Sequence, residues 1–217
     1  MTLSEPLPLP LSMLAPLRFP RRAWLRLGCL AAPAALPLHL LACESKRPDL
    51  PTLTRVPGFQ LTDQAGQPFA AEQLRGKTWA AAFMFTRCPS ICPRITRTMV
   101  ELQRRADADG VVMHWVSFSV DPENDNPAVL RAYASEHGCD LKNWSFLTGP
   151  VNEIRETAEQ GFKIAFEGDP KEGAEHMGIS HGSHLVLVDP QLNIRGYYRT
   201  LDGDAQGRLL LDAKQLR

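Results

Sequence analysis

Residues 79–93 read Trp-Ala-Ala-Ala-Phe-Met-Phe-Thr-Arg-Cys-Pro-Ser-Ile-Cys-Pro, and the fold is read outward from them. Trp79 to Phe85 is a continuous apolar run without polar alternation, the pattern of a strand buried on both faces. From Pro93 to Asp107 apolar residues recur at Ile95, Met99, Val100 and Leu102 with arginines between them, and Gly110 follows. That spacing predicts an amphipathic helix with Pro93 in its first turn, where a missing N–H costs little. Cys88 and Cys92 therefore fall where a buried strand passes into a helix. This lies outside the carboxyl end of the strand, where α/β sheets place their sites.

Downstream, Val111 to Val120 reads as a second buried strand and Pro127 to His137 as a helix stopped by Gly138. Trp144 to Leu147 is a short strand and Val151 to Gln160 a helix. His184 to Val188 and Ile194 to Tyr198 form a hairpin around Asp189–Asn193, and Ala205 to Leu216 is a closing helix. Upstream, Phe59 to Thr62 and Pro68-Phe69 flank the turn residues 64–67, a small hairpin. This order predicts an α/β protein, a thioredoxin-like three-layer sandwich with an added N-terminal β-hairpin.

The 217 residues carry 24 basic and 24 acidic side chains. With no basic excess to hold a phosphate backbone, nucleic acid is not an expected partner. The balance conceals an asymmetry: residues 1–42 hold Arg18, Arg21, Arg22 and Arg26 against Glu5 alone, and no further charge appears before Glu44. Basic residues, then a Leu/Ala-rich stretch, then a small residue is the order of an export signal. The apolar stretch is shorter than the roughly 20 residues a spanning helix needs. Leu40-Leu41-Ala42-Cys43 resembles a bacterial lipobox, which implies lipidation at Cys43; an uncleaved N-terminal anchor is the alternative. The expected division is a leader over 1–42, a polar, proline-bearing tether over 43–57 and the folded domain over 58–217. The expected location is the periplasmic side, attached to the membrane. In that oxidising compartment two neighbouring thiols become a disulfide unless a metal or a reductant intervenes.

A helix N-terminus offers unpaired N–H groups and partial positive charge, which favour thiolate, both nucleophile and metal ligand. Three residues separate Cys88 from Cys92, one more than the Cys-x-x-Cys of dithiol exchange, and the wider loop lets both sulfurs face one ion. Two thiolates select soft metal, Cu(I) with zinc as competitor. The bland reading is a plain stabilising disulfide or two core cysteines, but a disulfide of so short a loop stabilises little. A third ligand must come from far along the chain. His176, His181 and His184 lie within nine residues before the His184–Val188 strand, and spacing does not say which of them serves. His114 reads as a packed core histidine, His137 as a helix-end residue, Met84 and Met99 as core, Met177 as a weak metal candidate and Cys139 as a small buried residue. The loop carrying Asp121 and Asp125 reads first as turn and capping chemistry, with partner docking or site electrostatics as the alternative.

Four blocks in order resemble the Sco (SenC) family, thioredoxin-fold copper proteins of cytochrome c oxidase assembly. They are FMFTRCPSICP, SVDPENDNPAVLRAY (119–133), NWSFLTG (143–149) and ISHGSHLVLVDP (179–190), and the likeness spans about residues 55–200. Counted back from Pro190, the family's ligand histidine is His181 rather than His184. The resemblance implies Cys88, Cys92 and His181 as ligands for Cu(I), with Cu(II) tolerated. It also implies delivery to the copper A centre of the oxidase's copper-site subunit, with a second copper chaperone or a thioredoxin-like reductant as further partners. Two features depart from the family pattern: the extra His184, and a lipoprotein-like leader in place of a single membrane helix. A thiol–disulfide reductase, with Cys88 as nucleophile and Cys92 as its partner, is the alternative. A peroxidase on the same fold is a third and weaker reading.

Overall fold

The computed structural model describes residues 49–164 and 183–216. The apolar run forms strand β4, Trp79–Met84, with every residue buried. Before it come β1 (Thr54–Arg55) and the hairpin of β2 (Gln60–Asp63) and β3 (Pro68–Ala70). After it come α1 (Ile91–Ala108), β5 (His114–Ser119), α2 (Pro127–Glu136), β6 (Trp144–Thr148) and α3 (Val151–Glu156). Strands β7 (His184–Val188) and β8 (Asn193–Arg199) and helix α4 (Gly203–Gln215) complete the order. One mixed sheet contains the eight strands of the described residues in the order β1-β8-β7-β4-β5-β6-β2-β3. β4, β5 and β6 run parallel, and β7 is antiparallel to β4. The expected α/β architecture with its added N-terminal hairpin is the observed one.

Strand alternation divides the side chains between two faces. Phe83 and Phe118 share one face, where they stack at 4.9 Å, with Phe59 and Phe162 closing over them. Trp115, Trp144 and Phe146 share the other, and Tyr133 of α2 meets Phe146 there. Thr96 of α1 hydrogen-bonds the Tyr133 hydroxyl at 2.9 Å, and Tyr198 of β8 donates to Asp212 of α4 at 2.7 Å. Thus α1, α2 and α4 cover one face, and the stretch around Phe162 covers the other. Gly110 and Gly138, the glycines that close α1 and α2, adopt φ values of 64° and 69°, a left-handed backbone that side chains resist.

Several boundaries differ from the sequence reading: β5 spans His114–Ser119 rather than Val111–Val120, other strand and helix ends move by one or two residues, and three further differences have a clear physical cause. Helix α1 begins at Ile91 rather than Pro93, so Cys92 lies within its first turn while Cys88 stays in the loop. The N–H groups of a first turn have no intrahelical acceptor, so proline sits there without loss and the helix extends upstream of it. The helix after β6 ends at Glu156 and continues as a π-helical turn over Thr157–Gly161. The last part of the 43–57 stretch belongs to the sheet: Thr54 and Arg55 pair with Ile194 and Asn193, and Val56 is buried. Arg195, itself bound to Asp189 at 2.8 Å, donates to the carbonyls of Leu50 and Pro51 and pins this segment. A two-residue pairing made by backbone groups leaves no hydrophobic pattern to read. No helix among the described residues is long and apolar enough to cross a membrane.

His114 opens β5 as a packed, half-buried histidine, its Nε2 3.0 Å from Ser145 Oγ. Burial pushes its pKa down to about 4, and the nearby Lys77 charge adds to the effect. The folded state therefore favours the neutral ring. This stabilisation is complete above the ordinary 6.5 and is lost as pH falls from 6.5 towards 4. At 1.4 kcal/mol per pKa unit the loss reaches about 3 kcal/mol. Unfolding midpoints measured from pH 7 to 4 are expected to fall less steeply for His114→Gln than for the unaltered chain. Superimposable profiles would refute the assignment.

Candidate dithiol and metal centre

β4 delivers the chain to Phe85 at the carboxyl end of the sheet, and a turn closed by the Cys88 N–H on the Phe85 carbonyl (3.3 Å) reverses it towards α1. Cys88 and Cys92 are 6% and 2% exposed, and both are free thiols. The first turn of α1 aims its N–H groups back at the loop. The Cys92 N–H donates to Cys88 Sγ at 3.4 Å.

The two thiols are thereby made chemically unequal. Burial alone would raise the pKa of Cys88. The N–H groups of Cys92, Ser90 and Ile91 and the Cys92 thiol together outweigh it, so the Cys88 pKa lies below its ordinary value. Cys92 is pushed well upward, first by burial and then by the charges of Cys88 and Asp125, against a lowering hydrogen bond at Phe85. Cys88 is therefore the more readily ionised of the two thiols, and Cys92 the one that holds its proton more firmly.

Beneath the loop lie the two aspartates of the β5–α2 connection, 1% and 0% exposed. Asp121 Oδ2 holds Arg87 through Nε at 3.0 Å and Nη2 at 2.8 Å, and its Oδ1 accepts from Asn124. Asp125 accepts the Thr86 N–H at 3.0 Å and the Ser119 hydroxyl at 2.6 Å through Oδ2, and the Thr86 hydroxyl through Oδ1. Burial raises the Asp125 pKa, and these hydrogen bonds pull it back. The capping reading is therefore corrected. The cap of α2 is Asn126, which accepts from Val129 N–H at 3.1 Å, while both carboxylates turn to the residues immediately preceding Cys88. Thr86 and Ser119 were not singled out in the sequence, because no spacing links them to Asp125, which lies 39 and 6 positions away.

His184 is the first residue of β7, half-buried and paired with Arg199. Because β7 is antiparallel to β4, it starts at the end of the sheet where β4 delivers Cys88. His181, His176, Met177 and Cys43 lie outside the described residues. Among the described residues no group of three His, Cys, Asp or Glu side chains forms a complete metal site. Met84 and Met99 are buried core residues, and Tyr133 packs on His137 at 4.2 Å. Cys139 is half-buried, its thiol pushed up to about 12 by burial, and is correspondingly inert.

A mixed sheet with a strand–loop–helix dithiol at its carboxyl end places the molecule among thioredoxin-fold thiol proteins. The SCO1/SenC family model matches residues 49–211, and the chain belongs to that family. BsSco, a member of the Sco family of cytochrome c oxidase assembly proteins in which a disulfide switch was identified, is 34% identical. It superposes with a TM-score of 0.69 over 77% of this chain and 96% of that one. A SCO1/SenC family lipoprotein from Bacillus anthracis str. Ames is 32% identical, with a TM-score of 0.69 over 75% and 95% of the two chains. A Stutzerimonas stutzeri protein whose name assigns it copper binding is 28% identical over 82% of this chain and 87% of its own length.

Proposed function

We propose that this chain is a membrane-tethered copper metallochaperone that delivers its cargo to the copper A centre during assembly of cytochrome c oxidase. Cys88, Cys92 and His181 would hold the copper. The observation that carries this reading is the pair of buried thiols on one turn, at the sheet end from which β7 starts, three residues after His181. Two thiolates suit Cu(I), and an imidazole keeps Cu(II) within reach. Both thiols give up their protons when the metal binds, Cys88 more readily than Cys92. A three-ligand site leaves the ion open to ligand exchange with a docked recipient. The leader and Cys43 would export the domain and hold it at the periplasmic face of a membrane. The Bacillus anthracis relative named as a lipoprotein supports that attachment.

The unequal thiols favour one second reading, a reductase that keeps the recipient's copper-site cysteines reduced. The Cys88 thiolate attacks one sulfur of the recipient's disulfide, breaking that S–S bond, releasing the other sulfur as thiolate and forming a mixed disulfide. Cys92, once deprotonated, displaces the attacked sulfur as a second thiolate. The chain is left oxidised by two electrons, and a thioredoxin-like reductant restores it.

X-ray absorption on the copper-loaded chain, paired with His181→Ala, separates the two. Metal delivery predicts two sulfurs and one imidazole nitrogen per copper. It also predicts loss of tight binding in His181→Ala with dithiol exchange intact. A reduced wild-type chain that retains no copper, or a His181→Ala chain that binds as tightly as wild type, removes the metallochaperone reading and leaves the reductase.

A further inference from the structure

We infer that Asp125 is the positioning residue of the Cys88–Cys92 centre, acting through Thr86. Its side chain is fully buried, and each hydrogen bond it accepts comes from a neutral donor: the Thr86 N–H, the Thr86 hydroxyl and the Ser119 hydroxyl. The nearby guanidinium, Arg87, is held by Asp121 instead. A buried polar group costs free energy unless its hydrogen bonds are made, and a buried charge costs far more. Three donors converging on one carboxylate answer that cost only while Thr86 and Ser119 keep their present places.

Those places define the site. Ser119 ends β5 and lies in register with Met84, the last residue of β4; Thr86 is two residues further on. The carboxylate therefore ties the carboxyl ends of the two central parallel strands together just before the cysteine loop leaves the sheet. From Thr86 the chain has two residues to reach Cys88, and the Cys88 N–H already returns to the Phe85 carbonyl. With Thr86 held at both its amide and its hydroxyl, the direction in which Cys88 Sγ points is set from below by a residue 37 positions away in sequence. Asp125 acts as outer-shell partners do at metal sites, by orienting a ligand that it does not touch.

The metal readout rests on the copper proposal, whereas the dithiol readout does not. The test uses the intact chain with Asp125→Ala, Asp125→Asn and Thr86→Val. Each is measured for copper affinity by competition, for its thiolate-to-copper charge-transfer band, and for the Cys88–Cys92 dithiol–disulfide equilibrium in glutathione buffers. Folded fraction is followed separately. Loss of an outer-shell partner weakens metal binding about 10–100-fold. Asp125→Ala is expected in that range with a shifted band and a displaced dithiol equilibrium. Asp125→Asn keeps an acceptor oxygen for the Thr86 N–H and restores most of the loss. Thr86→Val keeps the N–H bond and falls at the lower end of the range. If Asp125→Ala does not fold, Thr86→Val against wild type decides. Wild-type affinity, band and equilibrium in a folded Asp125→Ala or Thr86→Val chain would overturn the inference, as would losses proportional to unfolding alone. Should wild type itself take up no copper, the copper proposal fails, and the dithiol equilibrium still judges Asp125.

Discussion

Cys88→Ser and Cys92→Ser are expected to be equivalent in copper binding and opposite in dithiol chemistry. Either change removes one of two soft ligands, so affinity falls by more than the roughly 100-fold upper range of an outer-shell loss. Exposure to oxidised glutathione then separates them. In Cys92→Ser the Cys88 thiolate, stabilised by the N–H groups of Cys92, Ser90 and Ile91, forms a mixed disulfide that no second thiol resolves. In Cys88→Ser the remaining thiol is 2% exposed and held protonated by burial, so it forms little adduct. Mass spectrometry of the adducts at neutral pH measures the contrast. Equal labelling of the two variants, or faster labelling at Cys92, would show that the helix N-terminus does not differentiate the sulfurs.

Phe118→Ala is expected to cause the largest loss of stability. Phe118 is fully buried near the carboxyl end of β5, stacked on Phe83, edge-on to Phe59 at 5.3 Å and tilted against Phe162 at 5.5 Å. These contacts come from three separate segments, so no single rearrangement refills the space. A buried Phe→Ala change costs about 3–5 kcal/mol through lost transfer energy and the cavity left behind. That is a large fraction of the 5–15 kcal/mol typical of a folded domain. Urea unfolding of the reduced chain should show the midpoint displaced accordingly with little change of slope. A loss below about 1 kcal/mol would mean that Phe59 and Phe162 close the gap, contrary to the packing described.

Much of this was legible in the chain itself. Seven consecutive apolar residues followed by two cysteines and a 3.6-residue apolar period marked β4, the cysteine loop and α1 as one unit. The element order then predicted the fold class. Each signal is local, because a strand buried on both faces and a helix with one buried face must repeat their apolar residues at fixed short spacings. The cysteine pair was visible for the same reason: its two members lie one helical turn apart.

What depended on strand pairing was not legible. Thr54–Arg55 joins β8 through backbone groups that any sequence possesses, and the stretch reads as tether. The buried carboxylates looked like turn residues, because an aspartate's sequence neighbours do not reveal which distant N–H it will meet. The sequence by itself determined the elements, their order and the two sulfurs. Only the tertiary structure decided that Asp121 and Asp125 hold Arg87 and Thr86, that Cys88 ionises more readily than Cys92, and that β7 starts at the sheet end where β4 stops. The reason is physical: periodicity records how one element meets its surroundings, whereas the meeting of residues 34 and 39 positions apart is settled by packing the whole sheet.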